Sequence, residues 1–64
     1  MAVIEVRNAA GALVWTSPEA DELMHETVDN TVKVIEFETG QVIATYALQP
    51  GEHVVKQAGG RLSR

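Results

Sequence analysis

Apolar positions recur with a period of two from the start of the chain. Ala2, Ile4 and Val6 alternate with Val3, Glu5 and Arg7, the spacing that places one row of side chains on one face of a strand. Asn8-Ala9-Ala10-Gly11 supplies turn chemistry, and Ala12-Leu13-Val14-Trp15-Thr16 reads as the returning strand of a hairpin. The pattern then changes. Ser17-Pro18-Glu19 carries the signals of a helix start: a capping hydroxyl, proline at the first helical position and acidic residues near the positive end of the dipole. Ala20, Leu23, Met24 and Val28 fall at i, i+3, i+4 and i+8, one apolar stripe. Together these features predict a helix from Pro18 to about His25, with Asp29-Asn30 as its exit turn.

Period two returns in Thr31 to Glu38 and Gln41 to Leu48, both rich in Val, Ile, Thr and aromatic residues. Only Thr39-Gly40 separates them, so a tight hairpin is expected. Pairing Glu38 with Gln41 gathers Ile35, Phe37, Val42, Ala44, Tyr46 and Leu48 on one face. A glycine bulge at Gly40 would instead set Phe37 beside Gln41 and Ile43, a less apolar grouping. In the preferred register the opposite face holds Val32, Val34, Ile43 and Ala47 beside Glu36, Glu38 and Thr45. That face is too apolar for a wet surface and calls for cover from the chain itself or from a second subunit. Gln49-Pro50-Gly51-Glu52 has the order of a type II turn, and His53-Val54-Val55-Lys56 forms a last short strand. Residues 1–57 therefore read as one small strand-rich domain and 58–64, with Gly59-Gly60, as a tail. The expected fold class is α+β: a small antiparallel β-sheet in the order β-β-α-β-β-β with one short helix, or a partly closed barrel with the helix at one end.

Size sharpens the expectation of a partner. A chain of 64 residues buries only about 60% of the surface its unfolded form exposes. Eight of its apolar residues are alanines, and Trp15, Phe37 and Tyr46 are its aromatics. Cores this small generally need a disulfide, a metal, a second subunit or unusually ideal packing. With no cysteine, disulfides and thiolate–zinc sites are excluded, and a homodimer becomes the expected staple. The N-terminus has no basic start and meets a charge at Glu5, unlike an export signal. No apolar run approaches the ~20 residues of a membrane span. The expected location is the cytoplasm.

Charge is unevenly laid out. No Lys or Arg lies between Arg7 and Lys33, whereas Glu19, Asp21, Glu22, Glu26 and Asp29 fall in that interval. Over residues 1–57 three bases (Arg7, Lys33, Lys56) face nine acids, a balance of −6. Nucleic-acid binding, which needs cations to replace phosphate counterions, is disfavoured. An acidic helix can be a solvated face, or a docking face for a basic surface on a partner. Trp15, just before it, is either core packing or an interface anchor.

Groups for catalysis are sparse. Ser17 reads as a cap, Ser63 lies in the tail, and Gly59-Gly60 lacks the residues that complete a phosphate loop. No cofactor is expected. Glu22 and His25, at i and i+3 of the expected helix, are weak metal candidates of the type that carboxylate-bridged bundles use in pairs. Val34 to Ile43 is similar to the strand–Thr-Gly–strand hairpin of small flagellar FlaG-like proteins. Asn8 to Ser17 resembles short hairpins of phage tail proteins. Each likeness spans about ten residues and implies hairpin chemistry alone.

The expectation is thus a non-enzymatic protein-interaction module, an inhibitor, adaptor or regulator. It would bind through Trp15, Glu19, Asp21, Glu22, Glu26 and Asp29 to a protein with a basic surface. The alternatives are a self-assembling subunit of a phage-like or filamentous particle and, against the charge, a small nucleic-acid-binding barrel.

Overall fold

A computed structural model describes residues 1–57, and over them the chain forms six strands and no helix. These are β1 (Val3–Arg7), β2 (Leu13–Thr16), β3 (Leu23–Val28), β4 (Thr31–Glu36), β5 (Val42–Ala47) and β6 (His53–Gln57). They make two three-stranded antiparallel sheets, ordered β2-β1-β6 and β3-β4-β5. The α+β expectation is therefore overturned: the fold is all-β, and two separate sheets stand in place of one sheet or a partly closed barrel. The expected tail lies outside the described residues. Among the described residues, no helix is long and apolar enough to cross a membrane.

The first hairpin forms as its alternation implies. Asn8 anchors the turn, its side-chain Oδ1 accepting from the amides of Ala10 and Ala12 at 3.0 Å each. Gly11 takes φ 89°, a left-handed conformation that glycine adopts without Cβ strain. Ala2, Ile4 and Val6 all face inward and are buried. A bulge between Val6 and Arg7 in the pairing with β2 leaves Val14 as the extra residue of that strand.

The expected helix is replaced by the crossing between sheets and by β3. Ser17 does not cap anything. Its amide donates to Ile4 O at 2.8 Å, its Oγ accepts from the Ile4 amide at 3.0 Å, and its hydroxyl donates to Pro18 O at 2.9 Å. Past Pro18 the chain exchanges two hydrogen bonds between Ala20 and Ala2, at 2.6 and 3.1 Å, and enters β3. Asp29 and Asn30 have φ of 52° and 63°. Two consecutive left-handed residues make a two-residue hairpin turn whose twist suits antiparallel strands. β3 then pairs with β4 without interruption from Val28↔Thr31 to Leu23↔Glu36. A lone helix of some eight residues is marginal in water, and Thr27 and Val28 are β-branched. Six paired residues outweigh a local cap signal.

The second hairpin also departs from its expected register. Thr39-Gly40 alone does not turn the chain. The Glu36 amide donates to Gln41 O at 2.9 Å, and Phe37 to Gly40 form a four-residue loop in which Gly40 takes φ 73°. A two-residue primed turn would need φ > 0 at Thr39 as well, which a β-branched residue resists. Ile35 therefore pairs with Val42, a bulge follows at Ile43, and Val34 and Val32 pair with Ala44 and Tyr46. This register turns Val32 and Val34 inward beside Ala44 and Tyr46 and leaves Ile35 beside Val42 on the outer face, whereas the expected register grouped Ile35 with Ala44 and Tyr46.

The two sheets meet over Ala2 and Ile4 from one and Leu23, Val32 and Val34 from the other, with Trp15, Ala20, Ile43, Ala44, Leu48 and Val54 packed around them. Among the described residues, five large apolar side chains are fully buried (Ile4, Val6, Leu23, Val32, Val34), against seven exposed ones: Met1, Leu13, Val14, Met24, Val28, Phe37 and Val42. The closing turn, Gln49 to Glu52, has Gly51 at φ 86° and a 3.0 Å bond from the Glu52 amide to Gln49 O, as its Pro-Gly order implies.

Two substitutions test this arrangement in urea melts. Ser17→Ala removes the acceptor of a buried amide and is expected to cost about 1–3 kcal/mol. Asn30→Val places a β-branched residue at positive φ and is expected to cost about 1–2 kcal/mol, whereas Asn30→Gly leaves stability equal or higher.

Candidate functional site

The residues singled out in sequence lie on a crossing, a strand and a turn, with no helix to gather them. Glu19 and Asp21 are exposed in the crossing between sheets, Glu22 is exposed just before β3, Glu26 lies on β3 and Asp29 in the turn that follows. They share no helical face because no helix carries them. Trp15 sits half-buried on the inner side, stacked on Tyr46 with ring centroids 5.1 Å apart and planes 24° from parallel. That spacing is within the range of a favourable offset stack, and it ties β2 of one sheet to β5 of the other. The aromatic anchor of the expected docking surface is thus an inter-sheet contact. Glu22 lies just before β3 and His25 within it, so the two share no helical face. Among the described residues no group of three or more His, Cys, Asp or Glu converges on a point.

Strand pairing assembles a different surface. On the outer face of β3-β4-β5, Met24, Ile35 and Val42 stand side by side across all three strands. Phe37, two residues beyond Ile35, continues this side and is 54% exposed, while its amide donates to Glu22 O at 3.0 Å. Met24 and Val42 are 43% and 52% exposed, so the row is open to water. The next row, Glu26–Lys33–Thr45, is polar, and Val28–Thr31–Ala47 completes the face. Exposed Glu22 and Glu38 sit in sequence beside Met24 and Phe37. The result is an apolar strip with acidic residues about it. Sequence reasoning recognised that this hairpin has two apolar faces but grouped Ile35 with Ala44 and Tyr46, which pair instead with Val34 and Val32. The bulge at Ile43 and the four-residue loop made the difference.

Arg7 donates from Nε and Nη2 to Glu5 Oε1 at 3.1 and 2.9 Å and from Nη1 to Gly11 O at 2.9 Å, so its charge is tied to its own strand and turn. A shallow depression of about 230 Å³ lies among Asn30, Leu48, Gln49, Pro50, Gly51 and Glu52. At its edge Glu52 Oε1 accepts from the Tyr46 hydroxyl at 3.0 Å and from the Gln49 amide at 2.8 Å. That hydrogen bond to the carboxylate, with burial and the carboxylate's charge adding to it, raises the Tyr46 pKa above its ordinary value. Because the folded pKa is raised, the associated stability is complete below the unfolded value of about 10 and is lost as pH climbs through the folded one.

Tyr46 is the only tyrosine in the chain, so the alkaline absorbance titration of tyrosinate reads it directly. Its midpoint is expected above about 10, and Glu52→Gln is expected to move it back toward that value. An unshifted midpoint in the native chain would show that the contact is not held in solution. No protein-family model, curated protein or solved structure matches the chain.

Proposed function

We propose that this chain is a non-enzymatic protein-binding module and that its contact surface is the outer face of β3-β4-β5. The observation that carries the reading is the open row Met24–Ile35–Val42 with Phe37 beside it. A small domain with few apolar side chains to bury gains by covering such a row, and a contiguous exposed apolar strip is the usual mark of an interaction surface. Glu22, Glu26 and Glu38 around it select a partner whose own apolar patch is bordered by Lys or Arg, because complementary charge speeds encounter and rejects acidic competitors. This surface replaces the acidic helix as the place of contact.

Chemistry has less support. His25 and His53 are exposed, and the 230 Å³ depression is smaller than the ~300–1,000 Å³ common for small-molecule sites. Nucleic-acid binding gains nothing from the fold, since Arg7 is bonded to Glu5 and Lys33 lies opposite Glu26. A second reading, the self-assembling subunit, draws on one specific feature: an edge strand without charge.

Affinity capture with the immobilised chain tests the binding reading. A partner is expected to be retained by the native chain and by Leu13→Ser, which alters an exposed residue of the other sheet. Retention is expected to fall at least ~10-fold for Met24→Lys and Phe37→Lys, the effect of about 1.4 kcal/mol. Equal capture by all four proteins overturns the assignment of the surface.

A further inference from the structure

Two three-stranded sheets expose four edge strands: β2, β6, β3 and β5. Unpaired edges invite pairing with another chain, and proteins blunt them with charges, proline, bulges or short length. Three of the four are blunted here. β2 is only four residues long and is followed by Pro18. β3 carries Glu26 and His25, and β6 carries Lys56 and His53. β5 is different. β2 is also uncharged, but β5 is longer, and from Gln41 to Leu48 there are eight residues without a charge. Among the described residues its strand backbone bonds to β4 and otherwise meets only the Gln49 side chain, at 3.4 Å from Ala47 O. The bulge at Ile43 disturbs one end and leaves Ala44 to Ala47 regular.

We propose that β5 pairs antiparallel with β5 of a second copy of this chain, joining the two β3-β4-β5 sheets into one of six strands around a twofold axis at Thr45. Charge argues for the occupant. The chain carries a formal −4, so most approaches of one copy to another bring acids together, whereas this edge brings none. Identical strands are self-complementary when antiparallel. An axis at Thr45 also keeps each face continuous. Thr45 meets its counterpart on the outer face, a favourable cross-strand pair, and Ala44 lies opposite the copy's Tyr46 on the inner face. The pairing sets a new strand beside Val42 but leaves Met24, Ile35 and Phe37 uncovered, so it is compatible with the proposed binding surface.

The test is sedimentation velocity across a concentration series, with hydrogen exchange followed at the same concentrations. The native chain is expected to pass from monomer to a discrete dimer as concentration rises, with amide protection growing in β5 and not in β2, β3 or β6. Thr45→Glu sets two carboxylates face to face at the axis while remaining opposite Lys33 of its own sheet, so the monomer fold is preserved. It is expected to weaken dimerisation ~10-fold or more, with an unchanged circular dichroism spectrum. Met24→Lys is expected to dimerise like the native chain. A native chain monomeric throughout, open-ended growth beyond the dimer, or a dimer lost in Met24→Lys and kept in Thr45→Glu each overturns the proposal. If Thr45→Glu fails to fold, the concentration-dependent exchange of the native β5 amides decides, and uniform protection there counts against the pairing. Loss of partner capture in Phe37→Lys with the dimer intact would separate the two surfaces.

Discussion

The fold hangs on the place where the chain leaves one sheet for the other. Ile4 and Ser17 bond to each other through three backbone groups and a hydroxyl, and Ala2 and Ala20 exchange two further bonds. These contacts fasten the crossing segment along the start of β1 and deliver Leu23 into the space above Ile4. Every other inward residue of the second sheet takes its position from that delivery. β3 templates β4 through an uninterrupted register, and β4 templates β5 up to the bulge. Because the buried amide of Ile4 takes the Ser17 hydroxyl as its acceptor, the geometry that would cap a helix is already spent.

How legible this was depends on whether the governing interactions were local. The first hairpin and the Pro50-Gly51 turn could be read from residues one to four apart, since their hydrogen bonds close within the turn itself. β3 could not. Only Leu23 of its inward side is buried, so His25 and Thr27 sit opposite Val34 and Val32 yet remain exposed. An inner face that is wet along most of its length leaves no clean alternation to detect. Meanwhile Ser17-Pro18-Glu19 offers a strong local signal whose outcome is settled by a residue thirteen positions earlier. The one sequence clue to the strand was Asp29-Asn30, a pair suited to consecutive left-handed residues between two β-rich segments.

The candidate surface was half legible for a related reason. Two apolar faces on the second hairpin could be counted from composition and alternation, and that count stands. Knowing which residues of the two strands join on each face required the loop length and the bulge, which shift the pairing. The acidic residues were located correctly along the chain, but the fold scatters them over a crossing, a strand and a turn. What remains of the interaction idea is a flat apolar row with acids near it.

The stack of Trp15 on Tyr46 has an optical consequence. The chain holds one tryptophan and one tyrosine, and the fold places one on each sheet with their rings 5.1 Å apart. Parting of the sheets separates this donor and acceptor and wets the indole, which changes its emission without any label. Opening between the sheets, as distinct from fraying at the hairpin ends, is thus visible in the native chain through its intrinsic fluorescence.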